Sequence, residues 1–161
     1  MMNDELKSSS KARAKRSGRF ITHHSALRTF SWPVRVYYED TDAAGVVFYA
    51  NYLKFMERAR TEWLRALGFE QTTLFHDHDV VFVVRALTIE FLRPALFNDA
   101  LEVAVELTGT RGSLLEVAQA IRRGAQTLVT ATVKVACVNT QSFKPVRIPK
   151  PILEKLALRQ A

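Results

Sequence analysis

The sequence predicts an α+β domain in which one antiparallel sheet wraps a single long helix. Three observations carry that expectation. Apolar residues keep helical spacing over just one long segment, residues 51–67; period-two runs dominate the chain beyond residue 80; and glycine or proline marks most boundaries. At 161 residues the chain is long enough for one domain with a core that folds unaided.

Phe30 to Tyr38 reads as the first strand, aromatic and branched, with Pro33 near its start where a missing N–H matters least. Asn51 to Leu67 reads as the helix. Tyr52, Met56, Ala59, Trp63 and Leu67 recur at three- and four-residue steps, and Leu53, Phe55 and Ala66 widen the band. Lys54, Glu57, Arg58, Arg60, Glu62 and Arg65 fill much of the remainder. Asn51 suits an N-cap and Gly68 a left-handed stop. Val80 to Phe91, Leu101 to Leu107, Leu114 to Arg122 and Thr127 to Val138 then read as four strands, and their short links predict sequential antiparallel neighbours. Pro149 to Leu158 suits a short final helix. A twisted sheet curling around the helix would bury Met56, Ala59, Trp63 and Leu67 on aliphatic strand faces. Its free face and edges would favour pairing between subunits. A hotdog-type α+β fold, with a dimer as minimum unit, is the economical solution.

The net charge of +7 is concentrated at one end. Residues 1–29 hold seven basic and two acidic side chains, hence +5, which leaves +2 for the domain at 30–161. Such a segment, rich in Ser and Lys with few large apolar residues, is expected to be a disordered tail. Without interleaved aromatics or a reader fold, it reads as a solvated extension and not as a nucleic-acid arm. No apolar run approaches the ~18 residues of a membrane span, and the N-terminus lacks an apolar signal core, so a cytoplasmic location is expected. The single cysteine, Cys137, permits no internal disulfide and reads as a buried small apolar side chain.

Glu39, Asp40 and Asp42 crowd the junction where the first strand ends, a glycine turn follows and the helix begins. Packing gives little reason for this, because each charge makes its neighbour harder to ionise. A site that needs a carboxylate beside exposed helix N-terminal amides would have this form. Asp42 and the amides just after it are the first candidates for chemistry. Glu39 and Asp40 read as solvated or turn-orienting. Gly45 permits a positive φ or close approach of substrate, and Val47 and Phe48 are candidate substrate contacts. Glu57 reads as part of a surface ion network with Arg58 and Arg60.

The stretch from Trp32 through Asp40-Thr41-Asp42 to Asn51-Tyr52 resembles the signature of the 4-hydroxybenzoyl-CoA-thioesterase-like hotdog enzymes. Glu57-Arg58-Ala59-Arg60-Thr61-Glu62 and Phe82-Val83-Val84-Arg85 resemble the branch of acyl-CoA thioesterases encoded with the bacterial Tol–Pal envelope system. The likeness covers nearly everything past the tail. It implies hydrolysis of acyl-CoA thioesters without a cofactor, by a tetramer built from dimers. It also implies that Asp42 is the catalytic carboxylate, as nucleophile or general base, and that the Tyr49 backbone amide binds the oxyanion. Many relatives carry histidine where this chain has Tyr49; the amide donor does not depend on that side chain. The resemblance further puts Arg111 and Ser113 where the nucleotide of coenzyme A is engaged, with Arg85 and Arg93 as second choices for its phosphates.

Other centres are weaker. His76 and His78 flank Asp77 in what reads as a polar loop over the mouth of the substrate site, and no further His or Cys completes a metal shell there; His23-His24 falls in the tail. No Gly-x-Ser-x-Gly elbow, dinucleotide fingerprint or P-loop is present. Two competing functions remain: a non-catalytic envelope or lipid-synthesis scaffold, including an acyl-carrier-protein binding module, and hydration of an enoyl thioester. Hydration wants a histidine beside the acid, and the motif has none. The acyl preference is open at this level.

Overall fold

The computed structural model describes residues 29–160, with side chains through residue 157. The expected basic tail and its His23-His24 pair lie outside the described residues, Thr29 excepted.

Strand β1 (Phe30–Arg35) leads through a 3₁₀ turn (Tyr38–Asp40) and a loop into helix α1 (Asn51–Ala66). Helix α2 (Gln71–His78), strands β2 (Val80–Phe91), β3 (Ala100–Arg111), β4 (Leu114–Arg123) and β5 (Gln126–Asn139), and helix α3 (Lys150–Gln160) complete the chain order. All strand pairs are antiparallel, in the order β1-β3-β4-β5-β2.

That order corrects one expectation. β3, β4 and β5 form the predicted meander, but β2 does not pair with β3; it crosses to the far edge and pairs with β5. Residues 92–99 are long enough to make this crossing, and they pass the start of α1 as they do so. The amides of Leu92 and Arg93 both donate to the Leu128 carbonyl, and Asn98 N–H donates to Val36 O. Period-two patterning sets which face a strand buries but says nothing of which neighbour it takes.

The core lies between α1 and the sheet. Phe55, Met56, Ala59 and Trp63 of α1 meet Leu101, Val103 and Val105 of β3, Leu115, Val117 and Ile121 of β4, and Val129 and Val133 of β5, all buried. Each large aliphatic or aromatic side chain so buried contributes roughly 1.5–3 kcal/mol. Ile152 and Leu156, one turn apart on α3, close one end of the core. At the end of α1, Gly68 adopts φ +90; its amide donates to Arg65 O, and Phe69 N–H donates to Leu64 O. These two bonds form the Schellman closure expected of Gly68.

The start of α1 differs from expectation. Asn51 is the first helical residue and not the cap; it is buried, and its Nδ2 donates to the Asp40 carbonyl at 3.0 Å. Its side chain therefore ties the acidic turn to the helix instead of satisfying helix amides. The segment expected as a polar loop is helix α2. In a helix, positions two apart point to opposite sides, so His76 and His78 cannot chelate together.

Candidate active site

The acidic turn is held as a small ladder. Asp42 N–H donates to Val46 O (2.9 Å) and Phe48 N–H to Asp40 O (2.8 Å), so residues 40–42 pair with 46–48. Val47 N–H in turn donates to Ala95 O (2.9 Å), which fastens the turn to the β2–β3 crossing. Gly45 takes φ +75 at the tip, as its position in the sequence predicts.

The three carboxylates separate into different roles. Asp40 is buried, and its Oδ2 accepts the Tyr37 amide at 2.8 Å. Glu39 is exposed. Asp42 is exposed as well; its Oδ1 accepts the Ala44 amide at 2.8 Å, and Oδ2 accepts no bond among the described residues. Thus Asp40 and Asp42 are each fixed by one amide, and of these two only Asp42 presents its other oxygen at an exposed position.

Between this turn and α1, the amides of Tyr49 and Ala50 make no hydrogen bond among the described residues. They lie at the positive end of a 16-residue helix. Val47, Tyr49, Tyr52, Phe91, Arg93 and Pro94 line a hollow of about 280 Å³ here. The Tyr49 ring, largely exposed, stands edge-on to Phe91. Neither Asp42 nor Phe48 is among the residues that line this hollow; Phe48 is half-exposed and packs its ring against that of Tyr49. A larger concavity, about 670 Å³, lies on the outer sheet face among Thr88, Ala104, Ala118 and Thr132, away from the carboxylate and the free amides.

The candidate arginines divide. Arg93 shares the hollow with Tyr49. Arg85 is exposed at the bulge where the β2–β5 register slips between Val84 and Ala86. Arg111 and Ser113 occupy the β3–β4 hairpin, where Arg111 borders another hollow with Glu116 and Lys134. That hairpin is at the opposite end of β3 from the crossing, about 36 Å away at ~3.3 Å per residue. One chain therefore does not bring Arg111 or Ser113 to Asp42.

Several positioning residues escape sequence reading. Tyr52 is buried and its hydroxyl accepts the Ala95 amide (2.9 Å); burial raises its pKa above the ordinary tyrosine value. Asp99 accepts from Leu96 N–H (2.8 Å) and pairs with Arg123 (2.6 Å), bracing the crossing. Arg60, expected on the solvent side, turns its guanidinium inward to Gln119. No single residue type signals these, because each acts through a partner distant in sequence.

A sheet curled about one long helix, with an acidic turn laddered to the residues just before that helix, is a hotdog-fold architecture. The signature of the thioesterase-like superfamily matches residues 36–156, and the chain belongs to that superfamily. The chain is 49% identical to the acyl-CoA thioesterase YbgC of Haemophilus influenzae over 123 residues, covering 76% of this chain and 90% of the relative. Among solved structures it is similar to a probable thioesterase from Bartonella henselae (TM-score 0.73, 39% identity, 75% of this chain and 99% of that one). It is also similar to Slr0204 of Synechocystis, a 1,4-dihydroxy-2-naphthoyl-CoA thioesterase (TM-score 0.74, 25% identity, 80% and 96%). Among the described residues no cluster of three or more His, Cys, Asp or Glu side chains could hold a metal ion, and no helix is long and apolar enough to cross a membrane.

Proposed function

We propose that Asp42 and the Tyr49 amide are the working parts of acyl-CoA thioester hydrolysis in this protein. Its relatives make the chain an acyl-CoA thioester hydrolase at the level of reaction class. The observation that carries the finer reading is one free carboxylate oxygen and one unbonded helix-start amide held by the same short ladder.

Asp42 Oδ2 attacks the thioester carbonyl carbon, the carbon–sulfur bond breaks, and coenzyme A leaves as its thiolate. Water then cleaves the mixed anhydride to free acid and restores the carboxylate. Alternatively, Asp42 takes a proton from water that attacks directly. In both routes negative charge grows on the carbonyl oxygen, where a preoriented amide is worth about 2.7–4 kcal/mol of barrier. Arg93 is suited to a coenzyme A phosphate at the same hollow, with Arg85 behind it.

Arg111 and Ser113 serve the same ligand only from a second copy. The outer edge of β2, twelve residues with Val83, Val84 and Leu87 exposed, supports such pairing, since a long unpaired apolar edge invites another strand. A dimer, assembling further to a cytoplasmic tetramer in the Tol–Pal setting, completes this reading; a strictly monomeric sedimentation profile would remove the oligomer from it. Acyl-carrier-protein thioesters fit the same chemistry as substrates.

The test is thiol release from short, long and aromatic acyl-CoAs by wild type and Asp42→Asn. The variant should stay folded and lose about 10²–10⁴-fold in turnover. Undiminished turnover in the variant refutes the assignment of Asp42, and no wild-type turnover on any member favours the scaffold.

A further inference from the structure

Building on that thioesterase reading, we infer that Asn51 is a positioning residue for hydrolysis: its side-chain amide sets the Asp42 arm of the acidic turn against the helix-start amides. The turn has two arms, residues 40–42 and 46–48, paired by the bonds from Asp42 N–H to Val46 O and from Phe48 N–H to Asp40 O. Asp42 stands on the first arm, and Tyr49 follows the second. The second arm is fastened from outside, by Val47 N–H on Ala95 O and by Ala95 N–H on the Tyr52 hydroxyl. The first arm is fastened to α1 by Asn51, whose Nδ2 donates to Asp40 O at 3.0 Å. Among the described residues this is the one side-chain hydrogen bond that runs directly between the turn and α1.

Asn51 clamps the segment with both of its donor groups. Its backbone N–H donates to Phe48 O at 2.8 Å, while its side chain reaches past Tyr49 and Ala50 to Asp40. The two residues so bracketed are the ones whose amides make no hydrogen bond among the described residues. A carbonyl oxygen has two lone pairs, and on Asp40 they are taken by Phe48 N–H and Asn51 Nδ2. One oxygen atom thus joins the arm bearing Asp42, the arm leading to Tyr49 and the first residue of α1.

Stability alone is a weak reason for this residue type. Asn51 is 7% exposed and opens α1, yet its side chain caps no helix amide. A buried side-chain amide is costly unless hydrogen-bonded, and asparagine is a poor helix former. Tyr52, Phe55 and Met56 already hold this end of α1 in the core. What the Asn51 bond adds is direction, because a hydrogen bond weakens steeply once it bends or lengthens. Asp40 therefore cannot swing from the helix start without losing it, and Asp42 is two residues along the same arm. A displacement of about 1 Å between reacting groups costs on the order of 10²-fold in rate.

The experiment measures kcat and KM for the acyl-CoA that full-length wild type hydrolyses fastest, and Kd for its unreactive thioether analogue. The proteins are wild type, Asn51→Leu, Asn51→Ala, Asp42→Asn, and Asn51→Leu combined with Asp42→Asn, each assayed well below its melting temperature. Asn51→Leu keeps the volume and removes the donor. Its kcat should fall about 10–10²-fold, with KM and analogue Kd within about threefold of wild type. In the Asp42→Asn background the same substitution should lower residual turnover by less than about threefold, because no working carboxylate remains to be misplaced. A contact serving stability alone would lower the melt and leave kcat of the folded protein intact. Should Asn51→Leu not fold, Asn51→Ala must show the same split; if neither folds, the contact is one of stability and the inference falls. Wild-type kcat in a folded Asn51 variant, a loss confined to KM and analogue binding, or a full loss persisting in the Asp42→Asn background overturns it while thioester hydrolysis stands. Undiminished turnover in Asp42→Asn alone, or none in wild type on any acyl-CoA, removes instead the reading on which it rests.

Discussion

Replacing Tyr52 by phenylalanine deletes one oxygen and should be felt in both stability and turnover. Ala95 is fully buried, and its amide donates only to the Tyr52 hydroxyl, at 2.9 Å. Phenylalanine keeps the ring and its edge-on contact with Phe55, so the packing change is confined to the missing oxygen. The cost is that of a buried N–H left unsatisfied, about 1–3 kcal/mol. For a domain of this size each kcal/mol moves Tm by roughly 3–5 °C, so the melt should fall by about 3–15 °C. Because Ala95 O also accepts the Val47 amide, loosening at Ala95 reaches the turn that carries Asp42. Turnover should therefore drop below wild type at temperatures where both proteins are folded. Tyr38→Phe is the control: that side chain is 77% exposed and its hydroxyl bonds nothing among the described residues, so Tm should not move. A Tyr52→Phe melt within about 1 °C of wild type would refute the reasoning, since no unsatisfied buried donor is that cheap.

Three further outcomes are expected. Burial pushes the Cys137 thiol up from 9.0 to about 11, so native protein at pH 8 should resist a thiol reagent that labels the urea-unfolded chain at once; rapid native labelling would contradict this. The same shift makes the folded chain retain a proton that the unfolded chain releases, as does that of Tyr52, so urea stability should be full below pH 9 and fall as pH rises through about 9–11. Gly68→Ala should cost about 1 kcal/mol through backbone strain alone, because at φ +90 an added Cβ meets nothing within 4 Å; an unchanged Tm would show that the left-handed closure is dispensable.

Elements with a strong period are legible in the sequence, and so is the acidic turn that precedes the long helix. α1, its glycine stop and the meander β3-β4-β5 emerge from spacing and punctuation, which are local signals. The position of β2 is not legible, because pairing partners are chosen by how the crossing packs against the start of α1, through Tyr52, Ala95 and Asp99. α2 escapes for the opposite reason. Gln71 to His78 has one buried side chain, Leu74, and no apolar stripe to announce a helix. Arg60 shows the limit of reading a helix by period: it sits beside Ala59 and Trp63 at the margin of the buried face. Only the presence of Gln119 on a strand 59 positions away decides that its charge turns inward.

The same logic resolves the crowding of Glu39, Asp40 and Asp42. Carboxylates so close in sequence repel one another less when the chain points them apart. Here the 3₁₀ turn sends them apart. Asp40 goes inward to the Tyr37 amide, Glu39 stays in water, and Asp42 is fixed by one oxygen on Ala44 while the other is free. Each bond from an amide stabilises an ionised carboxylate. The turn therefore orients the Asp42 carboxylate without a cation beside it. A nearby lysine or arginine pairing with Asp42 would hold the carboxylate as firmly but would occupy the oxygen that hydrolysis needs. Among the described residues Asp42 has no such salt bridge, whereas Asp99, whose task is to brace the crossing, has one with Arg123. Backbone amides for the acid proposed to react and a guanidinium for the bracing acid is the division that the proposed chemistry at this turn would require.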